Sequence, residues 1–171
     1  MIQLSERLLA MEESATIAMS RKSRELKAQG KDVISLSLGE PDFNTPQFIK
    51  DAATEAMDNN FTKYMPVPGY DDLRESISNK FKRDNNLNYD KDQIVVSTGA
   101  KQSIANVVLT LINPGDEVII PAPFWVSYIE IVKVAGGVPI LVNAGIDKDF
   151  KISGKDLEKA ITPRTKLVIF S

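Results

Sequence analysis

The sequence has 171 residues, 43% of them apolar and 26% charged, with a net charge of -2; this is the balance of a globular domain with a real core, and it carries no footprint for nucleic acid. It contains no cysteine and no histidine, which excludes disulfides, the usual zinc sites and every Ser-His or Cys-His catalytic arrangement within these residues, so no metal site is expected. The opening MIQLSERLLAMEES holds acidic residues and no apolar stretch long enough for a signal peptide or a membrane span, and a cytoplasmic enzyme or binding domain is the expectation.

In chain order, Ser14 is placed to cap a helix running to about Gln29, with Gly30 as its stop. Val33 to Leu36 reads as a short strand, and Gly39 to Pro46 as an irregular loop. Thr45-Pro46 then opens a helix with Ile49, Ala52, Ala53 and Ala56 on one face. After the break KYMPVPGY, a helix from near Tyr70 carries Leu73, Ile77 and Phe81. Ile94-Val95-Val96 reads as a buried strand. Ile104, Val107, Val108 and Leu111 form a helical stripe that ends at Asn113-Pro114-Gly115. Val118 to Ile120 is a strand, Trp125 to about Ala135 a helix, and Val138 to Val142 a strand. Ser153 caps a helix to Ile161, and Lys166 to Phe170 is a strand.

Strands that alternate with helices, and that are continuous apolar runs, predict an α/β fold with a mainly parallel sheet covered on both faces. Such a sheet carries its functional loops at the carboxyl ends of its strands. The sequence stops at Ser171, directly after a strand, so it is expected to be part of a longer protein.

Four stretches carry candidate chemistry. In VVSTGAKQSI, an apolar run passes through Ser97, Thr98 and Gly99 straight into a helix. Backbone N–H groups of Gly99, Ala100 and Lys101 would face an anion there, with Ser97 and Thr98 as added donors. Neither the Walker spacing nor the dinucleotide fingerprint fits, because Gly99 stands alone. An ordinary strand-to-helix turn is the alternative, at even weight. In PAPFWVSY, Trp125, the sole tryptophan, lies at a strand's carboxyl end. It either stacks on a flat ring or packs in the core. In SLGEPDFNTP, Gly39 offers a backbone N–H to a carboxylate, or merely serves a loop shaped by Pro41 and Pro46. In KYMPVPGYDDLR, Tyr64 either reaches across an interface or sits half-buried on its loop.

Together and in this order, SLGEPDF, KYMPVPGYDDLRESI, STGAKQSI, NPGDEVIIPAPFWVSY and ITPRTKLVIFS resemble the class I pyridoxal-phosphate aminotransferases. The likeness is nearest to their bacterial aspartate branch and extends from about Leu4 to Ser171. It implies a three-layer, fold-type I large domain over residues 46–171, preceded by an N-terminal arm and small-domain segment over 1–45. It also implies pyridoxal 5′-phosphate as cofactor, with its phosphate on Gly99 and Ala100, Ser97 nearby, and its ring under Trp125. Tyr64 would reach the phosphate held by the partner of a homodimer. Gly39 would bind the α-carboxylate of an amino-acid or 2-oxo-acid substrate, with Trp125 beside it. Lys101 would recognise a distal carboxylate, assisted by Ser14 and Thr16.

The implied reaction moves an amino group between L-aspartate and 2-oxoglutarate by a Schiff-base ping-pong mechanism. The Schiff-base lysine has no counterpart here, so no catalytic residue is assigned and these residues alone are expected to be inactive. Glu12 stands where some relatives carry a basic residue linked to prephenate, which argues against that substrate. The alternatives are an aromatic or alanine aminotransferase, a C–S lyase, or an α/β phosphate-binding module without pyridoxal chemistry. No membrane partner is expected.

Overall fold

The computed structural model describes residues 3–171; the first two residues of the arm lie outside them. The helices are α1 (Glu6–Leu9), α2 (Ala15–Ala28), α3 (Gln47–Asp58), α4 (Asp71–Asn85), α5 (Ala100–Leu111), α6 (Ser127–Val134) and α7 (Gly154–Ala160). The strands are β1 (Glu117–Ala122), β2 (Val138–Asn143) and β3 (Thr165–Val168). Short 3₁₀ turns span Lys91–Gln93 and Ile146–Lys148. The chain divides into two compact units, one made of the segment ending at Gly39 with Ile104–Ser171, the other of Glu40–Ser103.

The first unit holds the sheet, in the order β2-β1-β3, with both pairings parallel. β1 is central because it is apolar on both faces. Val118, Ile119 and Ile120 are all fully buried, although Ile119 points away from the other two. Removing each such side chain from water contributes about 1.5–3 kcal/mol. On one face Val118 and Ile120 pack with Val108 and Ile112 from the α5 segment and with Val132 of α6. The row buried from α5 onward is Ile104, Val108 and Ile112, four residues apart, while Val107 and Leu111 stay about half exposed.

Gly137 lets α6 turn closely into β2: a Cβ there would lie 2.7 Å from an Ile112 methyl. At the amino end of β1, Glu117 is buried and accepts from Thr162 Oγ1 at 2.5 Å and Arg164 Nε at 2.9 Å. The α7 start is closed by a capping box between Ser153 and Asp156, as the sequence leads one to expect. α1, a single turn that the sequence reading left as irregular arm, packs against α6. The Glu12 N–H donates to Glu130 Oε2 at 3.1 Å.

The second unit is built on α3, α4 and the 91–93 turn. Arg74 of α4 is buried and donates to the Lys91 carbonyl at 3.1 Å, and also pairs with Asp71. The α3 face expected to be buried is largely exposed, with Ile49 at 47%.

Several expected elements differ. Val33 to Leu36 forms no strand: Ile34 and Leu36 are almost fully exposed, with no ladder partner. Ile94 to Val96 is extended but is not a strand either. Its unit contains no strand among the described residues, and Val96 N–H bonds only to the Pro68 carbonyl, at 2.9 Å. An apolar run becomes a strand only with a neighbouring backbone. Ser14 occupies the N-cap position of α2 without a side-chain cap bond. The cap of α3 is Pro46, one residue after the expected Thr45. α6 begins two residues after Trp125, and β3 ends at Val168, leaving Phe170 exposed.

Candidate functional site

Within the second unit, the extended run 94–96 alternates: Ile94 is buried, Val95 exposed and Val96 half-buried. The chain then tightens. Gly99 N–H donates to the Ser97 carbonyl at 2.8 Å, a three-residue turn centred on Thr98. Gly99 itself has φ +82, a conformation natural to glycine. Its carbonyl accepts from Gln102 N–H and Ser103 N–H, which starts α5. The Gln102 side chain folds back and accepts from Thr98 N–H.

This geometry narrows the anion cradle. Gly99 N–H is engaged inside the turn and so is not the outward donor that the sequence suggests. Ala100 N–H has no acceptor among the described residues, as befits the first residue of a helix. What Gly99 contributes is space: a Cβ built there would meet no atom within 4 Å. Ser97, Gly99, Ala100 and Ser103 line a cavity of about 490 Å³ whose other walls are mostly apolar, including Ile77, Phe81 and Val96. The positive end of the α5 dipole faces the same turn. Such a site favours a small anion with an apolar neighbour.

Lys101 is the second residue of α5 and its side chain is exposed. Tyr64 lies on the loop between α3 and α4 and is fully exposed; it does not line the cavity. Nearby, Lys91 and then Arg74 hold the Asp71 carboxyl below the usual carboxylate range.

Within the first unit, Trp125 follows β1 at its carboxyl end and its carbonyl accepts from Tyr128 N–H at 3.0 Å. The two rings meet edge to face at 5.6 Å and 90°. Trp125 remains 39% exposed, so it is not sealed in the core as the packing alternative requires, whereas its neighbour Phe124 packs against the core cluster. Ser14 and Thr16 stand at the start of α2. The Glu12–Glu130 bond ties the approach to that helix to α6, the helix that Trp125 precedes. Gly39 lies in an irregular segment with open space where its Cβ would be.

Two features were missed from sequence. Gln102 closes the cradle turn by accepting from Thr98 N–H four residues back, and no local motif in the sequence signals it. Gly69 lies against Val96; only a contact map brings residues so far apart in sequence together.

Comparison with known proteins adds to this geometry. The family model described as "Aminotransferase class I and II" matches residues 31–171. An aspartate/prephenate aminotransferase of Nitrosomonas europaea is 52% identical over 168 residues, 98% of this chain and 42% of that protein. An aspartate aminotransferase of Bacillus sp. (strain YM-2) is 48% identical over 98% of this chain and 43% of its own length. Among solved structures, the Thermus thermophilus aspartate aminotransferase with maleate superposes with a TM-score of 0.94 at 44% identity, over 99% of this chain and 44% of that one. The chain thus spans about two fifths of the length of the relatives it matches.

Proposed function

The chain belongs to the class I and II aminotransferases, and from that membership we propose that the whole protein moves an amino group between L-aspartate and 2-oxoglutarate, in two half-reactions of a ping-pong cycle, with pyridoxal 5′-phosphate as cofactor. The observation that carries this reading is the α5 start, where an outward Ala100 N–H is followed at once by the exposed Lys101.

The donor set fits a phosphate monoester. It has a helix N-terminus, an N–H with no acceptor among the described residues, two hydroxyl residues in the same turn, and no Cβ at position 99 to block approach. When bound, the cofactor supplies an electron sink for the carbon that exchanges its amino group. Ala100 holds the phosphate through its N–H, Gly99 leaves room for it, and Ser97 adds a hydroxyl. Trp125 would stack on the ring and keep water from that side. Gly39 N–H meets the substrate α-carboxylate.

Lys101 meets the distal carboxylate that separates aspartate from neutral amino acids, and the hydroxyls of Ser14 and Thr16 assist it. An ammonium on a flexible stem suits that task because it binds a carboxylate as a point charge from several directions. Tyr64, fully exposed, gives its hydroxyl to the phosphate held by a second copy, which makes the active form a homodimer. Residues 1–45 serve as arm and small-domain segment and 46–171 as cofactor domain. The covalent bond to the cofactor is assigned to none of the lysines here, so the 171 residues alone transfer no amino group. A cytoplasmic setting belongs to the same reading, supported by the absence of cysteine.

The test is amino transfer by the whole protein loaded with cofactor. Aspartate and 2-oxoglutarate should yield oxaloacetate and glutamate in equal amounts. Glutamate formed from alanine or phenylalanine but not from aspartate would overturn the aspartate assignment, and none from any donor would overturn the reaction.

A second reading, with prephenate as an amino acceptor, is favoured by the name of the 52% identical relative. Against it, Glu12 stands where a basic residue is expected for that substrate; here its backbone N–H donates to Glu130 Oε2.

A further inference from the structure

The cradle turn has little to hold it. Ile94 to Gly99 lies outside any strand, and its backbone makes few bonds to the rest of its unit. Two fastenings locate it, and both come from residues 68–74. The first is at the 91–93 turn. Arg74 donates to the Lys91 carbonyl at 3.1 Å, Lys91 Nζ bonds Asp71 at 2.8 Å, and the turn is closed by a capping box between Asp90 and Gln93. The second lies one residue before the cradle. Val96 N–H donates to the Pro68 carbonyl at 2.9 Å, and the next residue, Gly69, touches the Val96 side chain. A Cβ at position 69 would lie 2.7 Å from Val96 Cγ2 and 2.9 Å from Val96 Cβ. Gly69 also has φ +104, where a side chain strains the backbone.

We propose that Gly69 is a positioning residue for the anion cradle: its missing side chain lets Val96 seat against the 68–70 loop and so sets where Ser97 to Ala100 present their donors. This rests on the cofactor reading above. Any side chain at 69 drives Val96 outward, and Ser97 must follow. The displacement needed to relieve a 2.7 Å contact is several tenths of an ångström, large compared with the tolerance of a charge-assisted hydrogen bond. The effect acts on the ligand's phosphate and not on its ring.

The experiment uses the whole protein and measures dissociation constants for pyridoxal 5′-phosphate and for pyridoxal, which lacks the phosphate. Gly69→Ala should weaken the phosphate-bearing ligand by about tenfold or more and change pyridoxal by less than about twofold. Asn86→Ala serves as control. Asn86 caps α4 with φ 54, so its loss strains the same unit at a position that does not line the cavity, and it should leave the ratio of the two constants unchanged. If Gly69→Ala does not fold, Val96→Ala removes the methyls without strain and should lower the phosphate preference by about threefold.

Equal weakening of both ligands by Gly69→Ala, or an unaltered preference in Val96→Ala, would overturn the proposal. A native protein with no preference for the phosphate would instead overturn the cofactor reading.

Discussion

Gly99→Ala separates backbone cost from ligand cost. Gly99 has φ +82, and a Cβ there would meet no protein atom within 4 Å. The substitution brings no clash, so its cost to folding is the left-handed backbone alone, about 1–2 kcal/mol. That corresponds to a fall of a few degrees in Tm. The same open space is where the phosphate is proposed to approach Ala100 N–H. A methyl group placed in it pushes a phosphate oxygen out of reach, and one lost charge-assisted hydrogen bond is worth about 1.5–3 kcal/mol. Cofactor affinity should therefore fall about 10- to 150-fold. The assay pairs thermal unfolding of the cofactor-free whole protein with a cofactor titration read by the absorbance of the cofactor itself. A small loss of Tm with unchanged affinity would show that no anion sits over Gly99. A loss of stability well above 2 kcal/mol would show that the space is not open.

Lys101→Ala should lower kcat/KM for aspartate by about 10- to 100-fold and for phenylalanine by less than about threefold; equal losses would remove Lys101 from substrate recognition. The Thr162 hydroxyl, and then the Arg164 guanidinium, hold the Glu117 carboxyl below its ordinary value of 4.5. The unfolded chain then takes up this proton first, so the stabilisation is complete above about pH 4.5 and is lost as pH falls through the lowered value. Glu117→Gln should flatten the acid side of a plot of Tm against pH, and an unchanged slope there would refute the assignment. Ile120→Ala, in the fully buried row of β1, should cost about 2–5 kcal/mol in denaturant unfolding. Leu111→Ala, half exposed, should cost much less, and similar losses would place the core elsewhere.

Where the sequence reading succeeded, the segment's own neighbours complete it. Val118 to Ile120, Val138 to Val142 and, of the expected Lys166 to Phe170, the part to Val168 form one parallel sheet in which β2 and β3 both pair with β1. Ser153 is recognisable as a cap because Asp156 sits three residues on. Local pattern fails where the partner is distant or absent. Ile94 to Val96 has the composition of a buried strand and no ladder. Val33 to Leu36 is likewise mostly apolar, and its Ile34 and Leu36 side chains are open to water.

The cradle was legible as a type of turn. The engagement of Gly99 N–H by Ser97 was not, because it depends on the backbone angles of Thr98 at the centre of that turn. Likewise the stripe on α5 is half right: Ile104 and Val108 face inward, while Val107 and Leu111 stay about half exposed. The buried row runs Ile104, Val108, Ile112, and only the position of β1 determines which of two neighbouring apolar rows faces inward.

β1 is a rod with different duties at its two ends. Glu117 fastens the amino end to Thr162 and Arg164, and the chain leaves the carboxyl end toward Trp125, five residue steps and about 17 Å further along the strand. Fully buried aliphatic side chains fill the interval. Changes at 117, 162 and 164 therefore retune heat and acid tolerance without altering which molecule is recognised. Changes at Trp125, where ring stacking is proposed, should do the reverse. A thermal screen and a substrate screen run on libraries at the two ends should return variants that combine without interference.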